Sequence, residues 1–370
     1  MDILIFGDFV AEKLAVQHLK EKNALSHELL GYIKRADYTI VNLEAPVANE
    51  SCHKITKAGP NLKTSPWTID YLKSCEFSCV TLANNHFYDY GANAVSQTIN
   101  LLEEKQIDFV GGGRNEEEKC RILYKDIGKE KVAIINCCES EFSVEHEYGS
   151  KQLDVIDVFH DIQSAKKITN VILVIVHGGH EGYQLPSPRM QKLYRFLIDA
   201  GAQAVINHHQ HCYSGYEQYH GGYIYYGLGN FFFHSTVEEN EGWNEGFFVD
   251  IRIEQSKISE VKEIPYMQCM DGSFEVRLMN AVEKANFASH IHQLNQTIAN
   301  PNLLKKSFEE YAHEKAANYW VFLTPYHNRY LMALCKRHWL PSFLTKMRRL
   351  SIYNLIHCES HRDLLLRSLK

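Results

Sequence analysis

The stretch "NVILVIVHGG", residues 170–179, is a long apolar run that ends in His177 and two glycines. A continuous apolar run of this kind predicts a strand buried on both faces. Helical patterns flank it, "VFHDIQSAKKI" before and "SPRMQKLYRFLIDAGA" after, and the second begins at a Ser-Pro pair and stops at a glycine. The alternation predicts an α/β fold with His177 at the carboxyl end of a strand.

The same alternation continues outward in both directions. Further strands are predicted at "DILIF", "YTIVNLE", "CVTLA", "DFVGGG", "VAIINCC", "AVINHH", "GYIYYGLGNFFF" and "GFFVDIRIEQSKISEVKEIPYM", the last a hairpin turning at 255–257. After about residue 271 only helical patterns remain. The sequence therefore predicts an α/β domain over 1–270 and a helical extension over 271–370.

Composition excludes several classes of protein. The 370 residues include 45% hydrophobic residues, and the net charge of −6 argues against nucleic-acid binding, which needs a basic surface. Ten cysteines without C-x-x-C spacing predict neither a zinc module nor a disulfide framework. No apolar run is long enough for a transmembrane helix, and the first residues lack a signal-peptide pattern. We expect a cytoplasmic protein.

Polar residues follow five of the predicted strands. They are Asp8, Asn42 with Glu44, Asn84 with Asn85 and His86, His177, and His208 with His209 and His211. Ligands gather beyond the carboxyl ends of strands in open α/β sheets, so these groups should share one edge. Two carboxylates and several imidazoles without thiolate suit one or two ions of Mn, Fe, Zn or Ni. Either carboxylate could bridge two ions.

The individual roles are predicted from chemistry and spacing. His209 and His211 are two residues apart, so on an extended chain they would point to the same side. The Asn85 carbonyl can ligate a cation, which leaves the adjacent His86 to donate a proton. Asn84 either supports a ligand or braces a turn, and Glu181 either orients a ligating imidazole or is solvated. Asp89 is interpreted as a turn residue, and "GLGNF" as a tight turn that brings Asn230 near the site.

A loop over 47–66 carries Lys57 and Lys63 beside this edge. Cations placed there would suit an anionic substrate, although an ordinary solvated loop has the same composition. His208 is the third residue expected to contact substrate.

Several motifs in order resemble the CapA family of capsule-synthesis proteins. They are "GD" at 7–8, "NLEAP" at 42–46, "LANNH" with "DYG" at 82–91, "VGGGRN" at 110–115, "HGGHE" at 177–181, "DAGAQAVINHHQH" at 199–211 and "YGLGNFFF" at 226–233. The resemblance implies a metallophosphoesterase-like α/β/β/α sandwich of two mixed sheets and a link to poly-γ-glutamate. It also implies metal ligands at Asp8, Glu44, Asn85, His177, His209 and His211, with His86 as the acid.

Two functions from different classes fit these features. One is a metal-dependent hydrolase acting on an anionic cell-envelope or capsular polymer or its precursor. The other is a non-catalytic scaffold that binds such a polymer during capsule synthesis. No G-x-x-x-x-G-K-[ST] loop is present, which disfavours an ATP-driven ligase.

Charge is unevenly distributed along the chain. Residues 326–370 hold nine Lys or Arg against two acids, which gives +7 and leaves −13 for the rest. A basic, aromatic-bearing tail could lie on anionic lipid as a peripheral contact, or could form salt bridges within the molecule, which is the favoured interpretation.

Overall fold

Sixteen strands and eleven helices form the described part of the chain. The computed structural model describes residues 1–21, 24–234, 242–326, 328–357 and 361. The strands are β1 Asp2–Val10, β2 Tyr38–Leu43, β3 Cys79–Thr81, β4 Asp108–Val110, β5 Gly112–Gly113, β6 Leu123–Ile127, β7 Glu130–Cys138, β8 Gly149–Ser150, β9 Val171–His177, β10 Ala204–His208, β11 Tyr216–Tyr219, β12 Gly222–Tyr225, β13 Asn230–Phe233, β14 Glu245–Glu254, β15 Lys257–Gln268 and β16 Val276–Leu278. The helices are α1 Lys13–Glu21, α2 His27–Arg35, α3 Pro66–Ser74, α4 Gly91–Glu104, α5 Glu116–Cys120, α6 Val155–Ala165, α7 Pro188–Ala200, α8 Ala281–Ala299, α9 Pro301–Trp320, α10 Arg329–Lys336 and α11 Lys346–His357.

Two mixed sheets carry most of these strands. The first has the order β16-β15-β14-β1-β2-β3-β4, with β13 beside the end of β1. Its strands β1 to β4 are parallel, whereas β14, β15 and β16 run antiparallel to their neighbours. The second sheet has the order β11-β12-β10-β9-β7-β6, with a parallel centre and antiparallel edges. Each parallel centre therefore presents its carboxyl ends in one direction.

The two sheets pack face to face and carry helices on their outer faces. Ile3 and Ile5 of β1 lie in the same buried cluster as Leu173 and Ile175 of β9. The alternate residues of the first sheet pack with helices α1 to α4, and those of the second with α6 and α7. The α/β/β/α sandwich expected from the sequence is confirmed. Burial on both faces explains why β9 is apolar throughout.

Local signals account for several element boundaries. Ser65 and Ser187 accept a hydrogen bond from a backbone N–H in the first turn of α3 and α7, and a proline follows each serine. Gln255 and Ser256 both have positive φ in the tight turn between β14 and β15. The start of α7 and the hairpin were predicted from the sequence, and Ser65-Pro66 carries the same signal at the start of α3.

The chain forms two compact units, and the division between them lies C-terminal to the predicted change to a helical pattern at about residue 271. The first compact unit runs from Met1 to Leu304 and the second from Lys305 to Lys370. Strand β16 pairs with β15, and helix α8 buries Phe287 and Ile291 in the cluster between the sheets. These apolar contacts join 271–304 to the sandwich, although the sequence there shows only a helical pattern.

The second unit consists of helical segments in its described part. It includes most of α9, then α10 and α11. Three cations of the basic tail, Arg362, Arg367 and Lys370, lie outside the described residues. No helix in the described ranges combines the length and apolar character needed to cross a membrane.

Candidate metal centre

The carboxyl ends of strands from both sheets meet at one edge of the sandwich. Asp8 of β1 lies in register with Asn42 of β2 and with Asn230 of β13. His177 ends β9 in the other sheet, and its Nδ1 lies 3.4 Å from Asn42 Nδ2 and 3.9 Å from Asp8 Oδ1. The polar residues that follow different strands in the sequence are therefore neighbours in space.

A first group of donor atoms surrounds the Nε2 atom of His177. This nitrogen lies 3.0 Å from His209 Nδ1, 3.0 Å from Asn85 Oδ1 and 3.6 Å from Glu44 Oε1. All four side chains are buried. Atoms from Glu44, His177 and His209 lie within 4.8 Å of one another, which is a separation that one ion can span.

A second group consists of Asp8, Glu44 and His211. The Nδ1 atom of His211 lies 3.6 Å from Asp8 Oδ2, and its Nε2 atom lies 3.6 Å from Glu44 Oε1. His211 Nδ1 donates to Asn230 Oδ1 at 2.9 Å, and Asn230 in turn donates to the His211 carbonyl oxygen. Because this bond holds the ring proton on Nδ1, the lone pair of Nε2 faces Glu44. Glu44 thus belongs to both groups.

The environment of the Glu44 carboxylate shows whether these donor groups suit a cation. Both of its carboxylate oxygens are buried and make no hydrogen bond within the described part of the chain. Burial raises the pKa of the Glu44 carboxyl well above its usual range, and the Asp8 carboxylate raises it further. A buried carboxylate without partners is costly unless a cation balances it. Two carboxylates, three imidazoles and an amide oxygen fit a divalent transition metal, and we find no conflict in the donor set.

Burial also keeps the imidazoles of the site neutral. Burial, with a smaller contribution from neighbouring histidines, lowers the pKa of His209 to about 3 and that of His177 well below its usual range. The pKa of His211 is lowered by burial too, although the Asp8 carboxylate opposes this shift. Neutral imidazoles are the form that binds metal, so the three rings offer lone pairs at neutral pH.

Two asparagines hold the carboxylates and loops in place. Asn42 Nδ2 donates to Asp8 Oδ1 at 2.7 Å, and Asn42 Oδ1 accepts from the Thr81 hydroxyl at 3.1 Å. Asn84 Nδ2 donates to the Leu43 carbonyl oxygen at 2.9 Å, while Asn84 Oδ1 accepts from the His86 backbone N–H. Asn84 therefore braces the loop that presents Asn85 and His86.

The chain at His209 and His211 is not extended, which corrects the expected geometry of this pair. Both residues have positive φ, 90° and 55°, and strand β10 ends before them at His208. Their side chains consequently serve different donor groups instead of one face of a strand. The His209 backbone N–H donates to Asp8 Oδ2 at 3.2 Å, which fixes this turn. Left-handed backbone at a non-glycine residue is strained and is concentrated at functional sites.

Asp89, interpreted from the sequence as a turn residue, lies in a turn and also contacts the His86 ring. Its side chain is fully buried, and its Oδ2 atom lies 2.6 Å from His86 Nδ1 and accepts from the Leu62 backbone N–H at 2.7 Å. The Lys57 ammonium contacts Asp89 Oδ1 and lies 3.2 Å from His86 Nδ1. The spacing of three residues between His86 and Asp89 was the available signal. Trp243 also lies at the site, with its ring centroid 5.1 Å from that of His211, but no sequence pattern indicated this contact.

The structure does not bring every expected residue to the donor groups. Lys57 is buried against Asp89, whereas Lys63 is exposed and its ammonium lies 5.2 Å from the centre of the Tyr90 ring. His208 Nε2 lies 3.1 Å from the Phe6 carbonyl oxygen in the interior. Glu181 is exposed in the loop after β9.

Comparison with known proteins gives a family and a partial structural likeness. The family model for the bacterial capsule synthesis protein PGA_cap matches residues 2–235. Capsule biosynthesis protein CapA of Bacillus anthracis is 33% identical over 222 residues, which are 57% of this chain and 53% of that protein. PGA biosynthesis protein CapA of Bacillus subtilis is 28% identical over 246 residues, 64% of this chain and 63% of that protein. A phosphatase structure from Mycoplasma pneumoniae aligns with 72% of this chain and 93% of its own at 15% identity and a TM-score of 0.46.

The matched part of the chain spans between about half and two thirds of these two relatives. The family match includes Asp8, Glu44, both donor groups and the His86 loop, since all of these residues lie between positions 2 and 235. The chain belongs to the PGA_cap family of bacterial capsule synthesis proteins.

Proposed function

We propose that this protein is a metal-dependent hydrolase acting on an anionic cell-envelope or capsular polymer, or on a precursor of one. The observation that carries the proposal is Glu44, which belongs to both groups of donors and whose two buried oxygens accept no hydrogen bond from the described residues. Carboxylates that bridge two such groups are typical of sites that hold a pair of cations about 3.5–4 Å apart.

The residues that would hold the cations follow from the two groups. Glu44, His177, His209 and Asn85 would hold one, and Glu44, Asp8 and His211 the other. Divalent cations bound there would polarise the bond to be cleaved and supply a hydroxide nucleophile at neutral pH. Asn42 and Asn230 would fix the orientation of Asp8 and His211 through the hydrogen bonds described above.

His86 is the proposed general acid. Its Nδ1 atom is held by Asp89, and the doubly protonated ring would give its Nε2 proton to the leaving group and become neutral. His86 directly follows Asn85 in the chain, and Asn85 Oδ1 lies 3.0 Å from His177 Nε2, so the loop places His86 next to the first donor group. Asp89 and Lys57 would keep the ring in one orientation.

The names of the relatives support the proposed class of substrate. The relatives are named for capsule and PGA biosynthesis, so an anionic polymer such as poly-γ-glutamate, or an intermediate in its assembly, is the proposed ligand. The exposed Lys63 on the loop beside the site would add attraction for such a ligand.

The test compares two variants on activated and unactivated substrates. Phosphodiesters, phosphomonoesters and γ-glutamyl peptides are screened with metal-loaded protein. His86→Gln should retain metal and lose turnover by roughly 10²–10⁴-fold, the usual contribution of a positioned acid. The loss should shrink for nitrophenyl esters, whose leaving group needs no proton. Asn85→Ala should lose metal affinity and turnover together.

Two outcomes would contradict the proposal. If His86→Gln loses metal as fully as Asn85→Ala, His86 is a ligand and the acid is another residue. If wild-type protein binds poly-γ-glutamate but turns over none of these substrates, the second candidate function applies, that of a binding scaffold. The family name favours this second candidate, because it denotes synthesis and not hydrolysis.

A further inference from the structure

The second unit contains a segment with no acidic residue. Residues 321–357, "VFLTPYHNRYLMALCKRHWLPSFLTKMRRLSIYNLIH", include six Lys or Arg and no Asp or Glu. We call this the acid-free segment. Its formal charge of +6 contrasts with the net charge of −6 for the whole chain.

The cations of the acid-free segment make no ion pair with a carboxylate among the described residues. They are Arg329, Lys336, Arg337, Lys346, Arg348 and Arg349. In the preceding helix α9, by contrast, Lys305 and Lys306 each pair with a glutamate one turn later. Within the described part of the second unit, no carboxylate therefore balances this charge.

The same segment exposes large apolar side chains. Thirteen of the 22 exposed large hydrophobic side chains in the described residues lie between Tyr319 and Ile356, about a tenth of the chain. Those within the acid-free segment are Phe322, Leu323, Tyr330, Leu331, Trp339, Phe343, Met347, Leu350, Tyr353, Leu355 and Ile356. Single exposed apolar residues are normal, but a concentration of them marks a surface that is covered by something else.

Helix α11 shows how charge and apolar surface combine. Met347, Leu350 and Tyr353 follow one another at intervals of three residues and are 71%, 53% and 61% exposed. Residues three apart lie on neighbouring positions of a helix surface, so these side chains form one apolar strip. Arg348 and Arg349 lie beside the strip in sequence. Trp339, 72% exposed, adds an aromatic ring in the preceding turn.

We propose that the acid-free segment binds the surface of a membrane that contains anionic lipid. Apolar and aromatic side chains can enter the boundary between headgroups and acyl chains, while Lys and Arg contact the anionic headgroups. The positive charge of the acid-free segment favours an anionic membrane over a second copy of the same segment, because two segments of +6 repel each other. The inference is independent of whether the metal centre is catalytic.

The test uses the full-length protein and two kinds of vesicle, phosphatidylcholine alone and phosphatidylcholine in which about a third of the lipid is anionic phosphatidylglycerol. We expect co-sedimentation with the anionic vesicles that weakens as salt is raised. Brominated lipid should quench tryptophan fluorescence, and Trp339→Phe should remove most of this quenching.

Matched variants separate the local surface from overall charge. The triple change Lys336→Glu, Arg337→Glu and Arg348→Glu should lower binding at least about 100-fold, since each basic residue near an anionic surface strengthens binding about fivefold. The control is an equal change in net charge at three exposed cations of the first unit, Lys167→Glu, Lys192→Glu and Lys284→Glu, which should have a much smaller effect. Trp339→Ala with Met347→Ala should also weaken binding, without any change in charge.

Three results would overturn the proposal. Equal co-sedimentation with neutral and anionic vesicles would remove the role of charge, and equal loss of binding in the triple variant and its control would remove the role of this segment. Self-association in sedimentation velocity without lipid, abolished by Trp339→Ala, would assign the surface to a second copy. Circular dichroism of each variant identifies any that fails to fold, and the apolar double variant then replaces the triple one.

Discussion

The Lys57 side chain is buried beside the proposed acid His86. Its position bears on whether Lys57 contacts the substrate or orients His86. Its side chain is 3% exposed and its ammonium pairs with the fully buried Asp89, which also holds His86. The Lys57 ammonium is therefore held by the Asp89 carboxylate and is not exposed to bind a ligand in solvent. The structure therefore favours a role in positioning His86 over the direct contact with substrate expected from the loop sequence.

Replacing Lys57 with methionine should separate these roles. Breaking a buried ion pair leaves an uncompensated charge, so the free energy of unfolding should fall by about 3–5 kcal/mol in Lys57→Met. Turnover should fall because His86 loses its support, while KM changes little. Urea unfolding and steady-state kinetics measure both effects.

Lys63→Met is the matched control, because Lys63 lies on the same loop but is exposed. Its loss should change the free energy of unfolding by no more than about 1 kcal/mol. If Lys57→Met instead raises KM and leaves stability unchanged, Lys57 binds substrate directly.

Much of the site could be predicted at the residue scale, and the exceptions have physical causes. Asp8, Glu44 and His177 lie at the carboxyl ends of apolar strands, and this position was sufficient to predict that they share one edge of the sheets. The sharing of Glu44 by two groups depends on how two separate sheets pack, which no local pattern encodes. The positive φ of His209 and His211 was not predictable either, because neither position carries the glycine that usually marks it.

At the scale of elements, the close approach of β1 to the turn before β13 sets the geometry of the site. A Cβ atom on Gly7 would lie 1.8 Å from the Gly229 carbonyl oxygen. Gly229 itself has φ of 79°, which favours glycine. These two glycines allow Asp8 and Asn230, the residues that follow them, to stand side by side.

Gly7→Ala should therefore damage both stability and the metal centre. The added methyl group meets backbone, which cannot move aside as a side chain could, so we expect a loss of about 1–3 kcal/mol or more in the free energy of unfolding. Metal affinity should fall in the same variant because Asp8 is displaced. Urea unfolding and metal titration provide the measurements.

Gly31→Ala is the control for this substitution. Gly31 lies inside α2 and nothing would lie within 4 Å of the new Cβ atom, so alanine should stabilise the helix by about 0.5–1 kcal/mol. Equal stability of the two alanine variants would contradict the close approach at Gly7.

Elements with strong local signals were predicted, and those defined by pairing were not. The capped helix α7 and the apolar strand β9 belong to the first kind. Strand β16 is three residues long and exists because it pairs with β15. Its sequence alone carries no signal of this partner.

At the scale of the whole molecule, the division between the two compact units predicts where the chain can be shortened. A chain ending at residue 304 keeps β16 and α8, and should fold and retain metal. A chain ending at residue 270 loses the buried side chains of Val276, Phe287, Ile291 and Ile298. Each of these contributes about 1.5–3 kcal/mol by burial, and the total is comparable with the 5–15 kcal/mol stability of a typical domain. Solubility and thermal unfolding compare the two, and a folded 1–270 chain would contradict the boundary at 304.

The central claim is that Glu44 joins two cation sites, and metal content per chain tests it most directly. Protein purified without chelator should hold about two divalent ions by elemental analysis. His209→Ala and His211→Ala should each retain about one, their double variant close to none, and Glu44→Gln fewer than either single variant, because Glu44 serves both groups. His220→Ala, a change at an exposed histidine, should keep the wild-type content. Full occupancy in the His209→Ala and His211→Ala double variant, or wild-type protein that binds no divalent transition metal, would contradict the account.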